Sequence, residues 1–161
     1  MFVLGIDPGL TTTGYGIVQT GHPPVAVAAG VVRTDSADPL GNRLSMLYRG
    51  LREVIAEYSP AQMAIEMVFT NRNLQTAISV GRASGVAILA GAEAGMDIAE
   101  YAPTAIKAAV TGDGAADKAG VAAMVARLLD LHEPPRPADA ADALAVAICH
   151  IRSAALVGGK R

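Results

Sequence analysis

The order of strand-like and helix-like segments limits what this chain can fold into more than any other feature. Residues 2–34 hold three short apolar segments, and the turn residues GHPP separate the second segment from the third. Three strands in close succession favour an antiparallel meander. Beyond residue 40, helical spacing of apolar residues alternates with further short apolar segments, which favours strands with helices packed on them. The sequence therefore predicts an α/β fold built on a mixed sheet.

Turn residues and prolines set the predicted boundaries of these segments. Strands are predicted at residues 2–6, 15–18, 25–34, 63–68 and 97–101. Helices are predicted at residues 40–58, 74–94, a short segment after Pro103, 118–131 and a last segment after the Pro-rich stretch 133–137. The segment TGDGAAD, residues 111–117, predicts a loop before the fourth helix. Because 161 residues is a usual size for one domain and no linker is evident, one domain over residues 1–161 is expected.

Composition excludes several classes of protein. With 52% hydrophobic and 17% charged residues, the chain predicts a packed domain rather than a disordered one. The N-terminal apolar run has no basic stretch before it and meets Asp7 and Pro8, which is not typical of a secretory signal. No apolar run approaches the roughly 20 residues of a membrane-spanning helix. The only cysteine, Cys149, excludes an internal disulfide and a cysteine-based zinc site, so a cytoplasmic protein without a membrane partner is expected.

Two carboxylates belong to apolar strand segments. Asp7 follows the first strand and precedes Pro-Gly, a position typical either of a turn or of a site at a strand end. Glu66 lies within MAIEMVF, where burial of a carboxylate costs several kcal/mol unless it is paired or metal-bound. The alternative is an edge strand with Glu66 on a solvent-facing side.

Asp139 and Asp142 stand three residues apart at the start of the last predicted helix. On a helix this spacing places both carboxylates on the same face. The alternative interpretation is structural: Asp139 as N-cap and Asp142 in the first turn would both be stabilised by free amides and the helix dipole.

Taken together, the four carboxylates favour a cation site. Carboxylates gathered from separate elements repel one another, and hard cations such as Mg²⁺ or Mn²⁺ prefer oxygen ligands. Two such ions, about 3.5–4 Å apart, can activate water and stabilise the leaving oxygen of a phosphodiester. The formal net charge of −2 disfavours nucleic acid, but removing four ligand charges from −2 leaves +2. Net charge therefore does not decide the question.

Three separated blocks of the sequence resemble those of the RuvC family of Holliday-junction resolvases. The blocks are LGIDPGLTTTGYG, AIEMVF followed by NRNLQTAISVGRASGVA, and ADAADALAVAICH. They match in order and spacing along nearly the whole chain. The resemblance implies a ribonuclease-H-like fold, a mixed five-stranded sheet with helices on both faces.

The same resemblance implies a catalytic, metal-binding tetrad of Asp7, Glu66, Asp139 and Asp142. Two Mg²⁺ or Mn²⁺ ions are expected per active site, and phosphodiester hydrolysis is expected to leave a 5′-phosphate and a 3′-hydroxyl. Some relatives carry His at the position of Asp142, so acid–base work or ligand orientation is an alternative role for this residue.

The resemblance also implies DNA-binding residues. Phe69 is expected to insert at the junction and stack on bases, with a core position as its alternative. Arg72 and Asn73 are expected on a DNA-facing loop, and Lys107 and Lys118 near the cut strand, where a lysine suits a phosphate; as isolated residues, both lysines are typical of ordinary surface. Two features depart from the family pattern: position 67, often polar, is Met, and the C-terminal extension is short.

A four-way junction has approximate two-fold symmetry, so the resemblance implies a homodimer that makes two symmetric nicks. The Gly/Ala-rich helix 74–94 is the predicted dimer surface. The RuvA and RuvB branch-migration proteins are expected partners in recombination and repair.

Two other functions are compatible with parts of the sequence. GIDPGLTTTGYG is similar to the start of the nucleotide lobe in actin-like phosphotransferases, but the chain lacks a second lobe. A junction-binding protein without cleavage activity is the other alternative, although buried carboxylates with no role would be a liability for stability.

Overall fold

A computed structural model describes residues 1–68 and 73–158, the last three of these by their backbone only. The elements are β1 (Phe2–Asp7), β2 (Thr12–Gln19), β3 (Val25–Arg33), α1 (Leu40–Tyr58), β4 (Gln62–Glu66), α2 (Leu74–Glu93), β5 (Asp97–Tyr101), α3 (Pro103–Thr111), α4 (Lys118–Leu128) and α5 (Ala138–Gly158). The strands form one sheet in the order β3-β2-β1-β4-β5. Strands β1 to β3 pair antiparallel, whereas β4 pairs parallel with both β1 and β5. The predicted mixed five-stranded sheet is confirmed.

The two faces of the sheet carry separate cores, and strand alternation decides which residue faces which core. In β1, Leu4 and Ile6 pack with α1 and α2, whereas Val3 packs with α3, α4 and α5. Successive side chains in a strand point to opposite faces. Asp7 therefore shares the face of Val3, and Glu66 shares that of Ala64, which also packs with α5. Both carboxylates belong to the face that α5 covers.

Glycines in β1 and β2 let α5 approach the sheet closely. A Cβ atom at Gly5 would collide with the backbone oxygen of Ala143, and one at Gly14 would collide with the backbone oxygen of Asp139. No side chain larger than hydrogen fits at either position while α5 keeps its place. The first turns of α5 consequently lie at the carboxyl end of β1.

Most predicted boundaries agree with the structure to within two residues, and the two larger differences, at β2 and α4, have identifiable causes. Helix α1 and strand β5 begin and end as predicted. Strand β2 begins at Thr12 rather than at residue 15, because Thr12 already pairs with Arg33 of β3. Helix α4 ends at Leu128 rather than at residue 131, because Asp130 adopts the left-handed backbone conformation, with a φ of 52°. The N–H of Leu131 then donates to the backbone oxygen of Ala126 at 2.8 Å, which is a common way for a helix to end.

Helix α5 supplies much of the core on its face of the sheet, which accounts for its apolar run. Leu144, Ile148 and Cys149 are buried within this core, as expected for the segment LAVAIC. In the part of the chain that the structure describes, no helix has the length and apolarity to cross a bilayer.

Candidate active site

Asp7 and Glu66 lie side by side at the carboxyl ends of the neighbouring strands β1 and β4. The parallel register pairs Ile6 with Ile65, and each carboxylate is the next residue of its strand. Strand β4 lies between β1 and β5, so the alternative of an edge strand for Glu66 is wrong. A side-chain hydrogen bond joins Asp7 and Glu66.

Helix α5 brings Asp139 and Asp142 to the same place. One carboxylate oxygen each of Asp7, Asp139 and Asp142 lies within 4.8 Å of the other two. Glu66 is outside this group of three and adjoins it through Asp7. Helix α5 begins at Ala138, so Asp139 lies in its first turn, and the alternative that Asp139 is the N-cap is wrong. Carboxylates from two strands and one helix thus converge.

This convergence makes negative charge unfavourable at Asp7. Burial, followed by the charges of Glu66 and Asp142, raises the pKa of Asp7 from 3.8 to about 8. Burial also raises the pKa of Glu66, against the opposing effect of its hydrogen bond with Asp7. Without a cation, the site therefore binds a proton at neutral pH.

The donor set fits a hard divalent cation. All of its ligand atoms are carboxylate oxygens, which suit Mg²⁺ and Mn²⁺ better than soft metals. Oxygens bound to one Mg²⁺ at about 2.1 Å lie at most about 4.2 Å apart. Since the three oxygens are already within 4.8 Å, small side-chain rotations bring them into that range.

A cleft of about 120 Å³ opens above the carboxylates, and two lysines line it. Its polar lining consists of Asp7, Glu66, Asp142, Lys107 and Lys118. Lys118 Nζ lies 3.3 Å from Asp142 Oδ2, and its side chain is 83% exposed. The Asp142 charge raises the pKa of Lys118. The carboxylates at the bottom of the cleft can hold a metal ion, and the positive lysine side chains at its edge attract an anionic substrate towards that ion.

The other predicted DNA-binding residues follow β4. Asn73 is the N-cap of α2, where its Oδ1 accepts hydrogen bonds from the backbone N–H groups of Gln75 at 2.9 Å and Thr76 at 3.3 Å. This cap is a structural role that the sequence did not reveal. Phe69 and Arg72 lie outside the described residues.

Arg43 organises the turn after Asp7, and sequence reasoning missed it. Its Nε donates to Thr34 Oγ1 at 2.9 Å, and its Nη2 donates to Thr11 Oγ1 at 3.0 Å. Thr34 in turn donates to the backbone oxygen of Leu10 at 2.6 Å. Arg43 and Thr11 also line a shallow groove of about 510 Å³ that reaches Asn73. The only signal in the sequence was the run of three threonines at residues 11–13.

Comparison with known proteins finds relatives over nearly the whole chain. The family model described as "Crossover junction endodeoxyribonuclease RuvC" matches residues 3–150. The RuvC of Salinispora arenicola is 56% identical over 153 residues, 94% of this chain and 87% of the relative. The RuvC of Desulforamulus reducens is 47% identical over 161 residues, 99% of each chain.

Solved structures agree with this result. Thermus thermophilus RuvC in complex with a Holliday junction substrate superimposes with a TM-score of 0.92 at 37% identity, over 98% of this chain and 96% of that chain. The yeast mitochondrial Holliday junction resolvase Ydc2 superimposes with a TM-score of 0.67 at 15% identity, over 99% and 82%. The second likeness is one of fold alone.

Proposed function

Because the chain belongs to the RuvC family of crossover junction endodeoxyribonucleases, we propose that its clustered carboxylates cut the strands of a four-way DNA junction with the help of divalent cations. Family membership makes the chain a Holliday-junction resolvase with the expected ribonuclease-H-like fold. Membership of this family excludes the alternative of an actin-like phosphotransferase. The observation that carries the residue assignment is the approach of Asp7, Asp139 and Asp142 to within 4.8 Å beside Glu66.

The proposed cation ligands are the four carboxylates Asp7, Glu66, Asp139 and Asp142, and the proposed cofactor is a pair of Mg²⁺ or Mn²⁺ ions. Divalent cations, when bound, lower the pKa of water and stabilise charge on the leaving oxygen of a phosphodiester. Asp7 is the central ligand, because its carboxyl faces those of the other three. Asp142 is shared between the cation site and Lys118, which supports an orienting role in addition to its ligand role.

Lys107 and Lys118 are proposed to hold the phosphate of the strand to be cut. Both line the cleft above the carboxylates. Exchanging the solvated contact between Lys118 and Asp142 for a phosphate contact costs little, since exposed ion pairs are weak. Asn73, together with Phe69 and Arg72, is proposed to contact DNA beside the cleft. This part of the proposal rests on the family resemblance and on the few residues that separate them from Glu66.

The proposed dimer forms through α2. Its exposed face carries Leu74, Ile78 and Leu89, which are 69%, 46% and 52% exposed. Gly81 and Gly85 lie between them on the same face, with open space where a side chain would stand. Apolar residues at this spacing form one stripe along a helix, and two such stripes related by a two-fold axis bury each other.

Three further parts of the proposal follow from the family. RuvA and RuvB are proposed as partners in branch migration, the cytoplasm as the compartment, and residues 1–161 as one nuclease domain. The last of these is supported by the two cores, which share a single sheet.

We predict that Leu89→Glu converts the dimer to a monomer. A carboxylate buried in an apolar interface without a partner costs several kcal/mol, enough to shift the dissociation constant a hundredfold or more, since about 1.4 kcal/mol is tenfold. Sedimentation velocity and the ratio of paired to single nicks measure the effect. Val25→Glu is the matched control, because Val25 is 51% exposed on the outer strand β3. An unchanged dimer in Leu89→Glu would contradict the α2 interface.

The function is tested on a labelled synthetic four-way junction beside a linear duplex of the same sequence. We expect paired symmetric nicks on the junction with Mg²⁺ or Mn²⁺, no nicks on the duplex, and complete loss of cleavage with chelator. Tight junction binding without cleavage under either cation would favour a binding-only protein. Equal cutting of the linear duplex would contradict selectivity for the junction.

A further inference from the structure

Three polar side chains form a hydrogen-bonded chain on the α5 face of the sheet, away from the cleft. The hydroxyl of Tyr101 lies 2.8 Å from His150 Nδ1, and His150 Nε2 lies 3.0 Å from Gln62 Oε1. An amide oxygen only accepts, so Nε2–H donates to Gln62 and Nδ1 accepts from the Tyr101 hydroxyl. The rings of Tyr101 and His150 also meet edge to face, with centroids 5.8 Å apart. His150 thus bridges β4 and β5.

One end of this chain holds the backbone beside Glu66. Tyr101 pairs with Glu66 in the parallel register of β4 and β5, and the N–H of Met67 donates to the oxygen of Tyr101 at 2.8 Å. The residue immediately after Glu66 is therefore anchored on Tyr101. Gln62, at the other end, begins the strand that Glu66 ends.

The middle of the chain belongs to the helix of the other two carboxylates. His150 lies on α5, eight residues beyond Asp142. Over β1, α5 contacts the sheet through small residues, with Ala143 and Ala147 against Gly5. Small residues interdigitate less than large ones, so this contact alone does little to stop α5 from sliding along its axis over the sheet. Hydrogen bonds are directional and restrict such sliding.

We infer that Tyr101, His150 and Gln62 act as positioning residues, which set the position of α5 along β4 and β5 and thereby the spacing between Glu66 and the carboxylates of Asp139 and Asp142. The inference rests on the proposed function, because that spacing matters only if the four carboxylates bind cations together. The hydrogen bonds of Tyr101 and His150 run to each other and to Gln62, so both residues act through the backbone elements that carry them. Outer residues that orient metal ligands commonly change metal affinity or activity by about 10–100-fold when they are altered.

Tyr101→Phe is the direct test, since it removes one hydroxyl and keeps the ring packing. We expect the dissociation constant for Mn²⁺, measured by calorimetry without DNA, to rise about tenfold, and kcat on the junction to fall about tenfold. We expect KM and the junction dissociation constant to stay within about twofold of the wild-type values, because the residue lies outside the cleft lining. Tyr48→Phe is the matched control: it removes a tyrosine hydroxyl that bonds Glu93 on the surface between α1 and α2.

A pair of variants at Gln62 provides a second, independent measurement. Gln62→Met removes the acceptor for His150 Nε2–H and should raise the Mn²⁺ dissociation constant in the same way. Gln62→Glu keeps an acceptor oxygen, so its Mn²⁺ dissociation constant should stay within about threefold of the wild-type value. A network that only contributes to stability would lower Tm in these variants without this pattern.

The outcomes separate the inference from the proposed function. If Tyr101→Phe leaves Mn²⁺ affinity and kcat unchanged, whatever its effect on Tm, the positioning role is overturned. If the wild-type protein binds Mn²⁺ but does not cut the junction, the proposed function fails, and the calorimetric comparison still decides whether the network positions the carboxylates.

Discussion

Asp7→Asn lowers the rate of strand cleavage at least about a thousandfold and, in the absence of metal, makes the protein more stable at neutral pH. The loss of cleavage follows from the loss of the carboxylate that faces the other three. A contribution of about 4 kcal/mol to the transition state corresponds to a thousandfold in rate. Junction binding should change little, since lysines and loop residues supply the proposed DNA contacts.

Stability increases although activity is lost, because the surroundings of Asp7 in the wild-type protein disfavour its negative charge. Burial first, then Glu66 and Asp142, raises the pKa of Asp7 from 3.8 to about 8. The stability associated with protonated Asp7 is fully present below about pH 4 and is lost progressively as the pH rises to about 8. At pH 7, removing the ionisable group should raise the free energy of unfolding by about 2–4 kcal/mol, since a tenfold change in the acid dissociation constant corresponds to about 1.4 kcal/mol.

Thermal unfolding with chelator and with Mn²⁺, from pH 5 to pH 8, measures both effects. We expect Asp7→Asn to exceed the wild type in Tm with chelator, by a margin that grows with pH. Mn²⁺ should raise Tm of the wild type but not of the variant. Asp97→Asn is the control, because Asp97 is exposed at the start of β5, remote from the carboxyl ends of the strands. Wild-type turnover by Asp7→Asn, or an equal Mn²⁺-induced increase in Tm, would remove Asp7 from the cation site.

Gly14→Ala is expected to have the second-largest effect, although it adds only one methyl group. That methyl group would collide with the backbone oxygen of Asp139, and Gly14 pairs directly with Asp7 in the sheet. The start of α5 must therefore retreat from the sheet. Forced overpacking of this kind costs about 1–3 kcal/mol, and a displacement of about 1 Å at reacting groups can cost a hundredfold in rate.

Gly14→Ala should remain folded, because a loss of about 1–3 kcal/mol is smaller than the usual stability of a domain, so the fall in cleavage rate should not result from unfolding. Urea unfolding gives the change in the free energy of unfolding, and single-turnover cleavage of the junction gives the change in rate. Gly41→Ala is the matched control, because Gly41 lies in the first turn of α1 with open space at the Cβ position. The control should be neutral or slightly stabilising. Full activity in Gly14→Ala would show that α5 does not need this close approach.

Local patterns in the sequence were sufficient for most secondary structure. Apolar residues at helical spacing, closed by Ser59 and Pro60, predicted both ends of α1, and a short apolar strand bounded by Asp97 and Tyr101 predicted β5. Such features depend on neighbours within a few residues, so tertiary contacts did not alter them. The family resemblance similarly depended on three continuous blocks, and the comparisons confirmed it.

The arrangement of the site depended on residues far apart in the chain. Asp7 and Glu66 become neighbours only through the parallel register of β1 and β4, and no local pattern specifies that register. The role of Gly14 depends on a helix more than a hundred residues away, and Arg43 acts through Thr11 and Thr34 on two other segments. The sequence by itself determined the segments and indicated the four candidate carboxylates. Only the tertiary structure decided their mutual distances, because strand pairing and close helix packing join residues that local interactions cannot reach.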